Sequence, residues 1–278
     1  MSSNVSMASF PPMIARFAVV CTAFTLLMVS AARSEDGAGL ELARMVHDRP
    51  DGRDAVTRAT MTLRGPGSRD RVRQLYEYRL DGDASESWVL VRFTSPSNIA
   101  DTGLLVHNHA VGENDQWLYL PAAQRVRRIS AANRGGSFVQ SDLFFEDLED
   151  RRPERDVHRM LGEEAFQGAR VKVLESVPAE ASNSVYSKRV SWIHPETLLP
   201  LRIDFYQGGA SPTKRLEVHR IEQVQGYWTV MASTMTTLDS GHQTIMEVEA
   251  IVYDQDLPDS LFTSRALADP AVERGYRP

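Results

Sequence analysis

The side chains with the chemistry to build a reactive site are few. His107 and His109 stand two apart in a stretch that alternates like a strand, so they point to one face. Such a pair can begin a zinc site, but a tetrahedral ion needs further ligands, and no His-Glu-x-x-His run supplies them. Two surface histidines near a turn account for the same pattern. Ser137 and Ser141 follow Gly135-Gly136, yet no Gly-x-Ser-x-Gly elbow occurs there. Glu146, Asp147, Glu149 and Asp150 are close enough for paired-carboxylate work. Arg151 and Arg152 follow them directly, and a solvated helix end with local ion pairs explains the cluster without catalysis. Neither common glycine-rich phosphate loop is present, so no nucleotide is expected. The residues as a set predict no enzyme, no metal and no cofactor.

The elements that would have to position a site begin after an export signal. Arg16 is followed by an uncharged stretch, Phe17 to Val29, and then by the small residues Ser30, Ala31 and Ala32. This order of charge, apolar run and small residues is that of a secretory signal peptide, with cleavage expected after Ala31, Ala32 or Ser34. The apolar stretch falls short of the roughly 20 residues a spanning helix needs. Cys21, the one cysteine, lies inside it, preceded by Val20 where a lipoprotein signal wants a small residue. The expected mature chain, 35–278, therefore holds no disulfide, no cysteinyl nucleophile and no thiolate ligand. Residues 1–34 carry two arginines and no acid, so their removal takes the formal charge from −6 to −8. That balance is wrong for a general nucleic-acid binder, which needs basic surface to displace counterions. A periplasmic location is expected.

The mature chain reads as one domain, mainly β. A short amphipathic helix is predicted from about Leu40 to His47, stopped by Pro50-Asp51-Gly52. Period-two alternation then gives strands around Thr57–Leu63, Val72–Leu80 and Ser87–Thr94, separated by Gly-Pro-Gly and Asp-Gly-Asp turns. Further strands are predicted at Gly103–His109, Gln116–Leu120, Arg125–Ile129, Ala169–Ser176, Ser187–His194, Leu201–Tyr206, Leu216–Val224, Tyr227–Thr236 and Gln243–Tyr253. Connections this short favour antiparallel order, and runs apolar on both faces imply a sheet covered on both sides. Ala131–Gln140 reads as a polar loop. Ser141–Asp150 reads as a short helix capped by Ser141 or Asp142, and Pro258–Leu267 as another. A long antiparallel meander can curl into a closed or half-open barrel, and such barrels commonly hold a ligand.

The strands are rich in large apolar side chains. Trp88, Leu90, Phe93 and Trp117 are candidates to line a cavity. Tyr119, Trp192, Phe205 and Trp228 complete that set. An ordinary core accounts for many of them. Between Asp101 and Leu148 the sequence carries several ordered elements: Asp115-Gln116-Trp117-Leu118-Tyr119-Leu120-Pro121, then Arg127-Arg128-Ile129-Ser130, then Gly136-Ser137-Phe138, Ser141-Asp142 and Glu146-Asp147-Leu148. This run resembles the LolA-like, or outer-membrane lipoprotein-sorting-like, periplasmic proteins, and the resemblance extends over most of the mature chain. Val139-Gln140 departs from the pattern, where a bulkier apolar residue and a glycine are expected, and so does His107-Asn108-His109.

The resemblance implies a single antiparallel sheet curled into an incomplete β-barrel, with short helices over its open side. It also implies a hydrophobic cavity that shelters the acyl chains of a lipid or lipoprotein. Arg125, Arg127, Arg128 and Arg134 are then expected to meet a head group or partner at the rim, or else to pair with Glu146 and Asp147 and pin the loop to the sheet. The alternative it leaves open is a non-catalytic accessory subunit of an RND/MMPL-type inner-membrane exporter.

Overall fold

The computed structural model describes residues 37–83 and 86–278. The export segment, its cleavage positions and Cys21 lie outside the described residues. A helix, α1, spans residues 37–47. The strands follow as β1 (Asp54–Arg64), β2 (Arg71–Asp81), β3 (Ser87–Ser95), β4 (Gly103–Asn108), β5 (Asp115–Leu120) and β6 (Arg125–Ile129). After a long connection come β7 (Asp156–Phe166), β8 (Ala169–Pro178), β9 (Lys188–Ile193), β10 (Pro200–Tyr206), β11 (Lys214–Val224), β12 (Tyr227–Thr237) and β13 (His242–Tyr253). A four-residue helix, α2 (Ser264–Leu267), lies in the C-terminal tail.

Among the described residues these thirteen strands make one antiparallel sheet in the order β6-β5-β4-β3-β2-β1-β13-β12-β11-β10-β9-β8-β7. The chain meanders outward from β1 to β6, crosses to the far edge at β7, and meanders back until β13 pairs with β1. Ala59 opposes Val248 and Met61 opposes Met246 in that closing pair. The edge strands β6 and β7 do not pair, so the barrel stays open. Strands from both halves nonetheless line one cavity, Val91 of β3 together with Ile203 of β10, which shows how strongly the sheet curls.

The crossover, residues 130–155, lies inside this curl. Its Phe138 and Phe145 are buried against Met61, Leu75, Phe93 and Leu104 of the first half. Phe144 and Leu143 reach the second half, where Tyr186, Phe205 and Met235 are buried. The tail covers the opposite face of β1 to β5: Leu257, Leu261, Phe262 and Leu267 close over Val56, Tyr78, Leu80, Leu90 and Leu105. Strand β3 is apolar on both sides for this reason, since one face meets the crossover and the other the tail. Burying a side chain of this size is worth about 1.5–3 kcal/mol, so both covers are held mainly by apolar contact.

Three elements differ from the sequence reading. Strand β7 was not expected there. Its alternation fails because Val157 and Leu161 are exposed on an edge strand, and the register slips at Leu161, unpaired between Met160 and Gly162, whose φ is 124°. The helix expected at Ser141–Asp150 is a single 3₁₀ turn, Phe145–Leu148, and its cap is at Phe144, whose N–H donates to the Asp147 carboxylate at 2.8 Å. Asp142 is no cap. It accepts from Thr244 at 2.7 Å and Thr237 at 2.6 Å, tying the crossover to β12 and β13. In the tail, Pro258–Leu267 forms a 3₁₀ turn at Asp259–Leu261 followed by α2.

Candidate functional site

The curl encloses a cavity of about 780 Å³, the size range of sites for small organic ligands. Its apolar wall comes from both halves of the sheet: Val89, Val91 and Val106 on β3 and β4, and Ile203, Phe205 and Leu216 on β10 and β11. Ile203 and Leu216 are direct cross-strand partners. Leu143 and Leu148 of the crossover form part of the floor, and Ala43 and Val46 of α1 close one side. Helix α1 reaches this position because Gly39 packs on β7: a Cβ there would stand 2.7 Å from the His158 carbonyl oxygen.

The crossover is fixed by charge as well as by its phenylalanines. Glu146 is buried and accepts from the Val185 N–H at 2.7 Å, from the Ser184 hydroxyl at 2.5 Å and from the Arg189 guanidinium. Asp147 accepts from the Tyr186 hydroxyl at 2.8 Å and from Lys214 at 3.2 Å. Burial, followed by the adjacent Asp147 charge, pushes the Tyr186 hydroxyl far above the ordinary tyrosine value. The Lys214 ammonium also lies 3.1 Å from the centre of the Phe144 ring. Arg151 pairs with Asp156 at 2.7 Å and donates to the Asn183 carbonyl at 3.0 Å.

The mouth is polar. His47 of α1 contacts Asp48 at 2.7 Å and Asp150 of the crossover at 3.3 Å. The hydrogen bond and charge of Asp150, working against partial burial, raise its imidazole to about 9. Arg79 donates to Asp81 at 2.5 Å, to the Gly52 carbonyl at 2.9 Å and to the Asp51 carbonyl. Burial raises the carboxyls of Asp51 and Glu149. Glu77 on β2 points into the cavity between Leu75 and Arg79 of its own strand, beside Val91 of β3.

The structure distributes the aromatic candidates across several places. Phe205 lines the cavity. Phe93 lies behind the crossover, its ring 5.7 Å from that of Phe138. Trp88, Leu90, Trp117 and Tyr119 belong to the cluster under the tail, on the face turned away from the cavity. Trp192 packs in a separate cluster with Val173 and Val190 and donates to Glu164 at 2.8 Å. Trp228 is 40% exposed. The guanidinium groups of the four candidate arginines do not pair with Glu146 or Asp147, although the Arg134 carbonyl accepts the Glu146 N–H at 3.2 Å. Arg125, Arg127 and Arg128 are exposed on edge strand β6, with Arg128 on Asp115, while Arg134 is buried against Glu113 and Glu149. Glu146 and Asp147 take Arg189 and Lys214 instead. A charged edge of this kind blocks pairing with other sheets.

The two histidine rings stand edge to face with centroids 6.3 Å apart, and each has its own partner. His107 contacts the Phe262 carbonyl at 2.8 Å under the tail, and His109 contacts Asp115 at 3.1 Å. Among the described residues no three histidine, cysteine, aspartate or glutamate side chains gather as metal ligands would. Glu77, Arg79 and His47, which shape the cavity, were missed by sequence reasoning. The one signal for Glu77 was an acid on the inward face of an alternating strand.

An unclosed antiparallel half-barrel with a crossover packed inside it is a LolA-like architecture. A family model whose description reads "-like: Uncharacterized protein" matches residues 85–269. A DUF1329 family protein from Desulfovibrio piger superposes with a TM-score of 0.80 at 29% identity, covering 84% of this chain and 99% of that one. An outer membrane lipoprotein-sorting protein domain from Vibrio parahaemolyticus gives 0.79 at 30% identity, with the same coverage. A LolA superfamily protein from Nitrosomonas europaea shares the fold at a TM-score of 0.62 and 18% identity, covering 82% and 96%. No curated protein matches. The chain belongs to the LolA-like family.

Proposed function

We propose that the protein is a periplasmic carrier that shelters the acyl chain of a lipid or lipoprotein in the cavity between β3 and β10. The observation that carries this reading is the cavity itself: about 780 Å³, walled by Val89, Val91, Val106, Ile203, Phe205 and Leu216, and left vacant although the crossover packs phenylalanines into the same barrel. Each methylene buried there contributes about 0.8 kcal/mol, so an apolar wall suffices for cargo and no catalytic group is needed. The likeness to the lipoprotein-sorting protein domain of Vibrio parahaemolyticus supports the same reading, and so does the signal-like N-terminus. A carrier must also release its cargo, and the crossover, which lies inside the curl and borders the cavity, is the element that would move.

A docking module for an inner-membrane exporter would need no cavity, and the open volume counts against that alternative in its strict form. Native mass spectrometry of protein released from the cell envelope tests the carrier. The expected result is a bound lipid-sized mass. Protein that is repeatedly empty and takes up no alkyl-chain probe overturns the reading.

A further inference from the structure

The cavity wall combines apolar side chains from both halves of the sheet with charged ones, among them Glu77, Arg79, Asp156 and Arg189 on the strands. Glu77 lies on the inward face of β2, flanked by Leu75 and Arg79 and paired across the sheet with Val91 and Thr57. It is half-buried and lines the cavity. Its carboxylate accepts no hydrogen bond and makes no ion pair among the described residues. The nearest guanidinium, Arg79, is turned to Asp81, to the Asp51 carboxylate at 3.6 Å and to the Asp51 and Gly52 carbonyls. Burial accordingly raises the Glu77 carboxyl above the ordinary glutamate value. A half-buried carboxylate without a protein partner, facing the cavity, is placed for a ligand to satisfy.

The sign of the ligand follows from the rest of the lining. Ten carboxylates and four arginines border the cavity. All four arginines have carboxylate partners: Arg49 and Arg79 at Asp51, Arg151 at Asp156, Arg189 at Glu146. Against the ten carboxylates stand only these four arginines and His47, each already facing a carboxylate, so a head group bearing phosphate or carboxylate would meet an acid excess. An ammonium would meet Glu77 at the apolar wall and further acids at the mouth.

We propose that the cavity is selective for a cationic amphiphile, an alkyl or acyl chain with an ammonium group that forms a charge-assisted hydrogen bond to the Glu77 carboxylate. This rests on the carrier reading and narrows its cargo by charge.

The test uses the mature chain, 35–278, with three probes of one chain length, dodecylammonium and dodecanoate below their micellar concentrations and dodecanol below its solubility limit, titrated calorimetrically at neutral pH. Dodecylammonium is expected to bind at least about tenfold more tightly than dodecanol, the order of one charge-assisted hydrogen bond, and dodecanoate most weakly. In Glu77→Gln the ammonium preference should disappear while dodecanol binds as before, which also shows that the variant is folded. Equal binding of all three probes to the wild type overturns the charge selectivity and leaves the carrier standing. Tighter binding of dodecanoate does the same. No binding of any probe removes both proposals. An ammonium preference that survives intact in Glu77→Gln, with dodecanol binding unchanged, overturns the role of Glu77.

Discussion

Arg92 of β3 and Glu273 of the tail form an ion pair at 2.7 Å in which both side chains are fully buried, 181 residues apart in sequence. Arg92 also donates to the Asp101 carbonyl at 2.7 Å and the Leu267 carbonyl at 2.8 Å. Burial nonetheless raises the Glu273 carboxyl, with Arg92 opposing. Gly103 leaves room for this guanidinium: a Cβ there would stand 2.6 Å from Arg92 Nη1 and 2.8 Å from Leu267. Removing one partner of a buried pair strands the other, at about 3–5 kcal/mol. Arg92→Met should therefore lower the unfolding free energy by that order in urea titration. It should also make the tail the first site of proteolytic cleavage.

The tail and the crossover were legible to different degrees, for a physical reason. Alternation bounded by Gly, Pro and Asp located most strands, since the period of two survives wherever one face is buried more than the other. Strand β7 lost that signal because it lies at an edge, with Val157 and Leu161 exposed. The polar loop and short helix read at Ala131–Gln140 and Ser141–Asp150 marked the crossover as a break in the run of strands. Alternation in β3 separates Trp88, Leu90 and Arg92 from Val89, Val91 and Phe93, but it does not tell which set faces inward. The bulky tryptophans went under the tail, and the smaller valines went to the cavity. The departure at Val139-Gln140 has a backbone counterpart: both residues have positive φ, 46° and 63°, where glycine would be unstrained.

Tyr186 and Lys214 hold the crossover through Asp147. Tyr186→Phe deletes the hydroxyl and leaves a buried carboxylate with one fewer donor, at about 1–3 kcal/mol. Lys214→Met removes its cation and should cost more, about 3–5 kcal/mol. Hydrogen exchange should locate the damage. Amides of residues 134–149 are expected to exchange faster in both variants, while the β1–β13 ladder keeps its protection. Uniform loss of protection across the sheet would mean that Asp147 stabilises the whole barrel and not the crossover alone.

His47 links α1 to the crossover, and its raised value sets the pH at which that link weakens. Its imidazole titrates at about 9 folded against 6.5 unfolded. The folded state binds the proton more tightly, so the stabilisation is fully present below pH 6.5 and declines as pH rises through about 9. His47→Gln should be less stable than wild type at pH 6, with the two melting curves converging by about pH 10. A constant difference across that range would show that the His47 contribution is packing and not charge.

The cavity itself can be filled without disturbing the sheet that forms it. Ile203 is half-buried, opposes Leu216 across β10 and β11, and faces the vacant volume. A tryptophan at this position extends into open space, so it should escape the penalty of about 1–3 kcal/mol for forcing extra methylenes into a packed core. Ile203→Trp is expected to melt near the wild-type temperature while losing both co-purified amphiphile and dodecylammonium binding. Trp228→Ala supplies the contrast, because Trp228 is 40% exposed and does not line the cavity. It should bind as wild type does. Retained binding in Ile203→Trp together with loss in Trp228→Ala would move the cargo site from the inside of the barrel to its outer surface.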